Sequence, residues 1–183
     1  VFAMLLAASV RTRFILTQTS HPGNVGAAAR AIKTMGFGEL VLVSPQDPKV
    51  LNRKRTKEGA SGAVDVLNAA RVVDTLVEAL EGSDIKCATG MPMDMSLERR
   101  QQIYIEPRPY FRKLMNDTDR EKNGFSSIAF VFGNERFGIR SEDFSLCHVV
   151  LGIPTNPSFG SLNLASAVQL IAYDWRQALG GFD

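Results

Sequence analysis

Residues 14–43 read FILTQTSHPGNVGAAARAIKTMGFGELVLV, and they indicate the fold class. Two short runs of branched and aromatic residues, Phe14 to Leu16 and Leu40 to Val43, are typical of strands buried on both faces. The run between them, Val25 to Met35, predicts a helix, and Gly36-Phe37-Gly38 predicts its end and a turn. A strand, a helix and a second strand in this order predict two parallel strands joined by a crossover helix.

The same alternation continues along the rest of the chain. Three further runs of branched residues predict strands: Ile85 to Ala88, Ile128 to Phe132 and Val149 to Ile153. Three further segments predict helices: Val64 to Leu80, Ser141 to Leu146 with Ser141 as its cap, and Leu162 to Leu179. We therefore expect an α/β protein with a mostly parallel sheet and helices on both faces. Residues 1–12 are expected to form an N-terminal extension and residues 13–183 a single domain.

Length and composition exclude several classes of protein. Of the 183 residues, 45% are hydrophobic and 22% are charged, as in ordinary globular domains. The longest apolar stretch, Val1 to Ala8, is far shorter than the roughly 20 residues that span a bilayer, and it lacks the basic start of a signal peptide. Cys87 and Cys147 show no C-x-x-C spacing, and His21 and His148 are too few for a histidine-rich metal site. We expect a cytoplasmic protein without a membrane anchor or a bound metal.

The distribution of charge is more informative than its sum. A formal net charge of +2 is too small for nucleic-acid binding by bulk charge. Basic residues nevertheless cluster at three places: Arg53, Lys54, Arg55 and Lys57; Arg99 and Arg100; and Arg108, Arg112 and Lys113. Such clusters are usually solvated surface, but their density leaves a polyanionic partner open. The polar segment Met91 to Gly124 predicts either a mobile loop that faces the partner, with a short helix near Tyr110 to Met115, or an ordinary surface excursion.

Three polar, glycine-bearing segments each follow a predicted strand, whereas motifs for phosphate loops, dinucleotide-binding turns and nucleophile elbows are absent. Ligand sites of α/β sheets lie at the carboxyl ends of strands. The first segment, Thr19 to Arg30, offers Asn24 as a helix cap, small residues from Gly26 to Ala29, and the guanidinium of Arg30. A helix amino end with an arginine forms an anion site. The alternative is that Asn24 only caps the helix and Arg30 only pairs with a carboxylate.

The second segment, Phe130 to Ile139, contains a charged pair, Glu135-Arg136, between Gly133 and Gly138. A turn needs only one of these glycines. The backbone is therefore expected to wrap around a ligand, with an ordinary strand-to-helix loop as the alternative.

The third segment, Ile153 to Ala167, contains two prolines that extend the chain and Gly160, which turns it. Ser161 is expected to cap the last helix. Asn163 then falls in the first helical turn, where its helix propensity gives no reason for it.

Together, the three segments carry the motifs of one enzyme class. The chain resembles the SPOUT class of RNA methyltransferases, specifically the SpoU or TrmH branch of ribose 2'-O-methyltransferases. The motifs are N-x-G-x-x-x-R at Asn24, Gly26 and Arg30; G-x-E-x-x-G at Gly133, Glu135 and Gly138; and I-P followed by S-L-N at Ile153, Pro154, Ser161, Leu162 and Asn163. The resemblance extends from about Arg13 to Leu179. Within the branch, the first and third motifs look most like those of the TrmJ group, which methylates nucleotide 32 in the tRNA anticodon loop.

The resemblance implies a SPOUT fold with a deep C-terminal trefoil knot that binds S-adenosylmethionine (SAM), mainly through loop backbone. The residues that it assigns to SAM binding are Ala88, Thr89, Gly90, Gly133, Ile153, Gly160, Ser161, Leu162 and Asn163. It also implies a homodimer, which the apolar residues Leu170 and Tyr173 beside the main stripe of the last helix favour as well.

The chain departs from the TrmJ pattern at one point. TrmJ relatives usually have T-S-A-R at the end of the predicted strand Ile85 to Ala88, whereas this chain has A-T-G-M at residues 88–91. Backbone contacts to the cofactor are compatible with that change, but a role of the missing arginine is not. TrmJ relatives also commonly continue into a helical extension that aids tRNA binding, and the sequence ends at Asp183 before such a segment.

For catalysis, the resemblance implies attack by a ribose 2'-hydroxyl of structured RNA on the methyl group of SAM, with tRNA favoured over rRNA. Arg30 is expected to position the phosphate and stabilise the developing oxyanion, since a guanidinium is effectively never deprotonated in proteins. Asn24 would orient Arg30 or the ribose, and Ser161 would hydrogen-bond the hydroxyl. Glu135 would fix the second loop or contact Arg30 of the partner subunit.

Two other functions remain as alternatives. A non-catalytic RNA-binding or assembly factor could keep the knot without turnover, but Asn24, Arg30 and Ser161 are all present. A base methyltransferase like the TrmD branch would not carry the N-x-G-x-x-x-R motif, which belongs to the ribose branch.

Overall fold

The computed structural model describes residues 10–90, 96–116 and 124–182, and its centre is a six-stranded sheet. The strands are β1 (Arg11–Thr17), β2 (Glu39–Val43), β3 (Arg71–Val73), β4 (Ile85–Thr89), β5 (Ser127–Phe132) and β6 (Val149–Leu151). They lie in the order β3-β2-β1-β5-β4-β6, and each neighbouring pair is parallel. The prediction of an α/β fold with a mostly parallel sheet is therefore confirmed.

Helices cover both faces of the sheet. Within the described residues, the α-helices are α1 (Pro22–Thr34), α2 (Lys54–Ala60), α3 (Val64–Ala69), α4 (Leu76–Leu80), α5 (Leu97–Ile103), α6 (Pro107–Met115), α7 (Ser141–Phe144) and α8 (Leu164–Ala178). One turn of 3-10 helix, Val50–Asn52, precedes α2. Side chains from α1, α2, α3, α6 and α8 form the core on one face, and those from α4 and α7 form the core on the other.

The strands supply alternate side chains to the two cores. Phe14 and Leu16 of β1 point into the larger core, while Ile15 points into the smaller one. Each of these three side chains is fully buried, which explains why the strands are continuous apolar runs.

An aromatic cluster fixes two helices on the larger face. The ring of Phe111 in α6 lies 5.6 Å from that of Phe130 in β5 and 5.2 Å from that of Trp175 in α8. The indole Nε1 of Trp175 donates a hydrogen bond to Thr12 Oγ1 at 2.9 Å, so the buried polar atom is satisfied. The cluster thereby positions the two loops that precede α6 and α8.

All three motif segments emerge at one edge of the sheet, because the strands are parallel. The chain runs outward from β1 through β2 to β3 and then returns to the other side of β1, where β4 and β5 lie. The strand order thus reverses between β1 and β5. In open α/β sheets a ligand crevice forms outside the carboxyl ends of the strands at this point. The first and second motifs follow these two strands, and the third follows β6.

The predicted elements are present, with shifts at their ends. β1 begins at Arg11, two residues before the predicted start of the domain, and β6 ends at Leu151 instead of Ile153. The predicted helix near Tyr110 to Met115 is α6. No helix within the described residues is both long and apolar enough to cross a membrane.

Two helix predictions were wrong. The segment Val64 to Leu80 is interrupted by β3, which pairs with β2 along its whole length. Local periodicity does not reveal this three-residue edge strand, because its partner lies far away in sequence. The cap of α7 is Arg140, not Ser141, and its guanidinium Nε pairs with Asp143 Oδ2 at 3.0 Å.

The segment Met91 to Gly124 is more regular than predicted. It contains α5, which the sequence did not indicate, as well as α6. Residues 91–95 and 117–123 lie outside the described part of the chain.

Candidate active site

One side chain from each motif joins a single chain of hydrogen bonds at the carboxyl edge of the sheet. Asn24 Nδ2 donates to Glu135 Oε1 at 3.2 Å, and Asn163 Nδ2 donates to Asn24 Oδ1 at 3.0 Å. These residues follow three different strands, β1, β5 and β6. The tertiary structure therefore joins the three segments that the sequence predicted separately.

Glu135 fastens the first-motif segment to the second-motif loop. Its Oε2 accepts hydrogen bonds from Ser20 N at 3.0 Å and Ser20 Oγ at 2.9 Å, and its Oε1 accepts from His21 N at 3.2 Å. Partial burial raises the pKa of Glu135, but the donors from Ser20 and Asn24 outweigh it and hold the pKa below its ordinary value. Glu135 is therefore an ionised anchor between the first and second motifs.

Asn24 has a different local role from the one predicted. The cap position of α1 is His21, with Pro22 at the start of the helix, and Asn24 lies in the first turn. The prediction that Asn24 caps α1 was wrong, because proline at the first helical position starts the helix earlier and requires no hydrogen-bond acceptor for its nitrogen. The amide of Asn24 instead connects Glu135 to Asn163.

The side chain of Asn163 makes two contacts that account for an asparagine at this position of the third motif. It is the cap of α8, and its Oδ1 accepts a hydrogen bond from Ala165 N at 2.9 Å. Its Nδ2 contacts Asn24, so the two ends of one amide cap the helix and connect the motifs. The prediction that Ser161 caps this helix was wrong, and Ser161 lies exposed in the preceding loop.

The second-motif loop folds back on itself. Asn134 and Gly138 exchange backbone hydrogen bonds of 3.0 and 2.9 Å, and a Cβ on Gly133 would lie only 2.2 Å from the carbonyl carbon of Gly138. Asn134 Nδ2 also donates to Gln18 O at 2.7 Å, which adds a second connection between the loops after β1 and β5. Asn134 was not predicted as a site residue, although an asparagine just beyond the end of a strand is a recognised signal for a local side-chain turn.

A pocket of about 550 Å³ opens beside the hydrogen-bonded chain. The ends of β4, β5 and β6 contribute Thr89, Phe132 and Leu151 to its lining. The second and third motif loops form most of the remaining wall, together with apolar side chains such as Leu162 and Leu164. A largely apolar cavity with a few polar groups is typical of small-molecule sites.

Six of the nine residues predicted to bind SAM line this pocket: Thr89, Gly90, Gly133, Ile153, Gly160 and Leu162. The other three do not. Ala88 is fully buried in the smaller of the two cores, whereas Ser161 is exposed and Asn163 caps α8.

A short segment before α6 forms a pocket wall that the sequence analysis missed. Ile105 N donates to Val150 O at 2.9 Å and Gly152 N donates to Ile105 O at 3.0 Å, so this segment runs alongside β6. The pairing brings Tyr104 and Glu106 to the pocket. Two strand-forming residues ahead of a proline were the only local signal, and the partner strand lies more than forty positions further along the chain.

Arg30 lies outside the pocket. It is exposed on α1, less than two turns beyond Asn24. Among the described residues its guanidinium forms no ion pair, so the predicted alternative of a carboxylate partner is not observed there. An exposed arginine outside the pocket is available to bind an anion at the surface.

Comparison with known proteins identifies the family of the chain. Residues 11–173 match the SpoU rRNA Methylase family. The chain is 43% identical over 169 residues to the tRNA (cytidine/uridine/adenosine-2'-O-)-methyltransferase TrmJ of Pseudomonas aeruginosa (strain UCBPP-PA14), a match that covers 92% of this chain and 61% of that protein. It therefore spans about three fifths of that relative's length.

Two solved structures illustrate the similarity of fold. A probable methyltransferase from Bordetella pertussis Tohama I is 43% identical, with a TM-score of 0.82 and coverage of 95% of this chain and 99% of the other. The SpoU methyltransferase AviRb from Streptomyces viridochromogenes, in complex with the cofactor AdoMet, is 20% identical, with a TM-score of 0.66 and coverage of 92% and 60%. The second similarity concerns the fold alone. Since the family match includes all three motifs and all six strands of the sheet, the chain belongs to the SpoU rRNA Methylase family.

Proposed function

We propose that the chain is a SAM-dependent RNA 2'-O-methyltransferase that acts on tRNA in the cytoplasm as a homodimer. The observation that carries the proposal is the contact of Asn24, Glu135 and Asn163 next to a pocket for a small molecule. The name of the Pseudomonas relative supports tRNA as the substrate. The resemblance to the TrmJ group favours nucleotide 32 of the anticodon loop.

The pocket fits SAM in size and in chemistry. A volume of about 550 Å³ lies within the usual range for small-molecule sites. The apolar side chains of Phe132 and Leu162 would hold the adenine ring, and loop backbone around Gly133 and Ile153 would supply hydrogen bonds. Glu106 adds a carboxylate that suits a positively charged ligand. When bound, SAM supplies a methyl group on a positively charged sulfur; the methyl joins the ribose 2'-oxygen as the carbon–sulfur bond breaks, and the hydroxyl proton passes to solvent.

Arg30 would act on the RNA side of the reaction. Its planar guanidinium can bind a phosphate through two parallel hydrogen bonds and stabilise negative charge as it develops on the 2'-oxygen. It would not act as a base, because an arginine remains protonated in proteins. The contacts of Asn24 and Glu135 fix the first turn of α1, and thereby fix the helix that presents Arg30.

Ser161 would contact the ribose. It lies between two residues that line the pocket, Gly160 and Leu162, but is itself exposed. Its hydroxyl can donate and accept a hydrogen bond, which suits a neighbouring ribose hydroxyl.

A second copy of the chain would cover the exposed face of α8. The buried stripe of this helix includes Val168, Ile171 and Trp175, yet Leu170 and Tyr173 remain 38% and 44% exposed. Apolar side chains on a second face of a helix favour burial against a partner.

Methyl transfer to a tRNA transcript tests the proposed function. With labelled SAM, Arg30→Ala should reduce the rate by about a hundredfold or more, the magnitude typical of one preorganised charge donor, while the Kd for SAM stays nearly unchanged. Arg30→Lys should recover little activity, because lysine keeps the charge and loses the planar fork. Arg71→Ala is the matched control, since Arg71 is an exposed cation at the amino end of β3.

The RNA itself provides the second control. A transcript with 2'-deoxyribose at the modified nucleotide must accept no methyl group if the 2'-hydroxyl is the nucleophile. Transfer to that transcript would contradict ribose methylation, and preferential transfer to rRNA would contradict the choice of tRNA.

A further inference from the structure

Positive charge is concentrated in one segment that the site described above does not use. Residues 47–60 include five basic and two acidic residues, a net charge of +3, whereas the whole chain has +2. Arg53 pairs with Asp47 and Lys54 pairs with Glu58. Arg55 and Lys57 are exposed and form no ion pair with any described residue. Their charge is therefore available for an external anion.

This segment lies at the same edge of the sheet as the pocket. It follows β2, whose carboxyl end is next to that of β1. Two backbone hydrogen bonds join the loop after β2 to the loop that begins the first motif: Gln18 N donates to Val43 O at 2.8 Å, and Gln46 N donates to Thr19 O at 3.0 Å. These bonds hold the chain just before residues 47–60 beside the loop that leads into the first motif.

The contact between α1 and α2 places Arg30 and Arg55 relative to each other. A Cβ on Gly26 would lie 2.0 Å from Thr56 O, and one on Gly59 would lie 2.9 Å from Gly23 O, so the two backbones touch. Arg30 follows Gly26 by four residues and Arg55 precedes Gly59 by four. Residues four apart share one face of a helix. Each arginine therefore lies on the face of its helix that contacts the other helix, about one helical turn, or about 5.4 Å, from the glycine at the contact.

We propose that Arg55 and Lys57 bind backbone phosphates of the RNA substrate next to the nucleotide held by Arg30. This inference rests on the proposed function and extends it from the pocket to a phosphate-binding surface on α2. Arg55 continues the face that carries Arg30, which suits the successive phosphates of a single strand. Lys57 lies on the other side of α2 and adds a point charge for a phosphate further along the strand. Since α1 and α2 touch through backbone, the surface is fixed before RNA binds, and little ordering of the protein opposes binding.

Salt dependence of tRNA binding tests the surface. The affinity for a fluorescently labelled tRNA transcript is measured over a series of KCl concentrations, together with calorimetric titration of SAM. Each single variant, Arg55→Gln and Lys57→Gln, should weaken tRNA binding and reduce the slope of log K against log salt by about 1, as expected for one lost phosphate contact. The Kd for SAM should not change, and in methyl transfer the KM for tRNA should rise by a larger factor than kcat falls.

Arg71→Gln is the control, because it removes one exposed cation at the opposite edge of the sheet. It should leave the slope as in the wild type. If the wild type methylates tRNA but both α2 variants keep the wild-type slope of log K against log salt, the proposal of a phosphate-binding surface on α2 is overturned. The proposed function then still stands. If the wild type neither binds nor methylates tRNA, the proposed function is overturned together with the surface. Circular dichroism of each variant confirms that the fold is retained.

Discussion

The carboxylate of Glu135 accepts four hydrogen bonds from the start of α1 and the two residues before it. Its two oxygens face only donors, from Ser20, His21 and Asn24. A glutamine at this position would turn an amide NH2 toward some of them, and donors that face donors repel. The charge of Glu135, and not only its shape, therefore stabilises the contact between the first two motifs.

Glu135→Gln should lower the free energy of unfolding by about 1–3 kcal/mol at neutral pH. Because the folded state holds the pKa of Glu135 below its ordinary 4.5, this contribution is present above that pH and is lost as the pH falls through the folded-state pKa. The difference between wild type and variant should accordingly shrink in acid. Urea denaturation at several pH values measures it.

Glu142→Gln is the control for this variant. Glu142 is 72% exposed and contacts Arg140 at the surface, so its replacement should change stability by less than about 0.5 kcal/mol. A Glu135→Gln protein as stable as the control at neutral pH would contradict the anchoring role.

α1 and α2 pack backbone against backbone, because glycines lie at their contact. Side chains at these positions would hold the two helices further apart. Gly26 of the first motif is buried against the backbone of Thr56 and Ala60, where an added Cβ would lie 2.0 and 2.8 Å from backbone atoms. Among the small residues of the first motif, Gly26 therefore admits the backbone of α2. Since the atoms it would meet belong to the main chain, a rotamer change cannot relieve the clash.

Gly26→Ala should destabilise the protein by about 1–3 kcal/mol and displace α2 from α1. Gly62→Ala is the matched control, because an added Cβ there meets no atom within 4 Å, and fewer unfolded conformations should make it neutral or slightly stabilising. Chemical denaturation of both variants gives the comparison. Equal free energies of unfolding for the Gly26→Ala and Gly62→Ala variants would contradict this prediction, because they would show that α1 and α2 can move apart without loss of stability.

Taken as a whole, the molecule buries one face of α8 and exposes apolar groups on another. Trp175 and Ile171 lie in the core, whereas Leu170 and Tyr173 are accessible. A symmetric pair of chains would bury the same patch twice, which is how most homo-oligomers form. Dimerisation through α8 would also restrict the motion of the third-motif loop, because this loop leads directly into the helix.

Sedimentation should give a mass twice that of the 20.0 kDa chain at micromolar concentration. Replacing both Leu170 and Tyr173 by glutamate should shift the protein to the monomer, because charges would have to lose water in the interface. Val77→Glu is the control, since Val77 is 63% exposed on α4, on the other face of the sheet. A wild-type protein that sediments only as a monomer would contradict the dimer.

Local sequence was sufficient for the α/β class, for most of the strands and for the three motifs. Buried parallel strands must be apolar at nearly every position, so runs such as Ile128 to Phe132 are visible without any knowledge of their partners. The order of strands and helices along the chain then implies that all motif segments leave the sheet at one edge. Six of the residues expected to bind SAM line the pocket for this reason.

One strand, one wall of the pocket and the connection between the motifs depended on contacts between residues distant in sequence. β3 and the wall formed by Tyr104 and Glu106 exist because each pairs with a strand that is distant in sequence, and local patterns contain no record of that partner. The connection between Asn24 and Asn163 likewise depends on one hydrogen bond across 139 positions. Residue type shows that an amide can cap a helix or connect two segments, and the cap of α8 by Asn163 is a local contact. Only the folded backbone brings the amides of Asn24 and Asn163 to 3.0 Å from each other, and that proximity connects the first motif to the third.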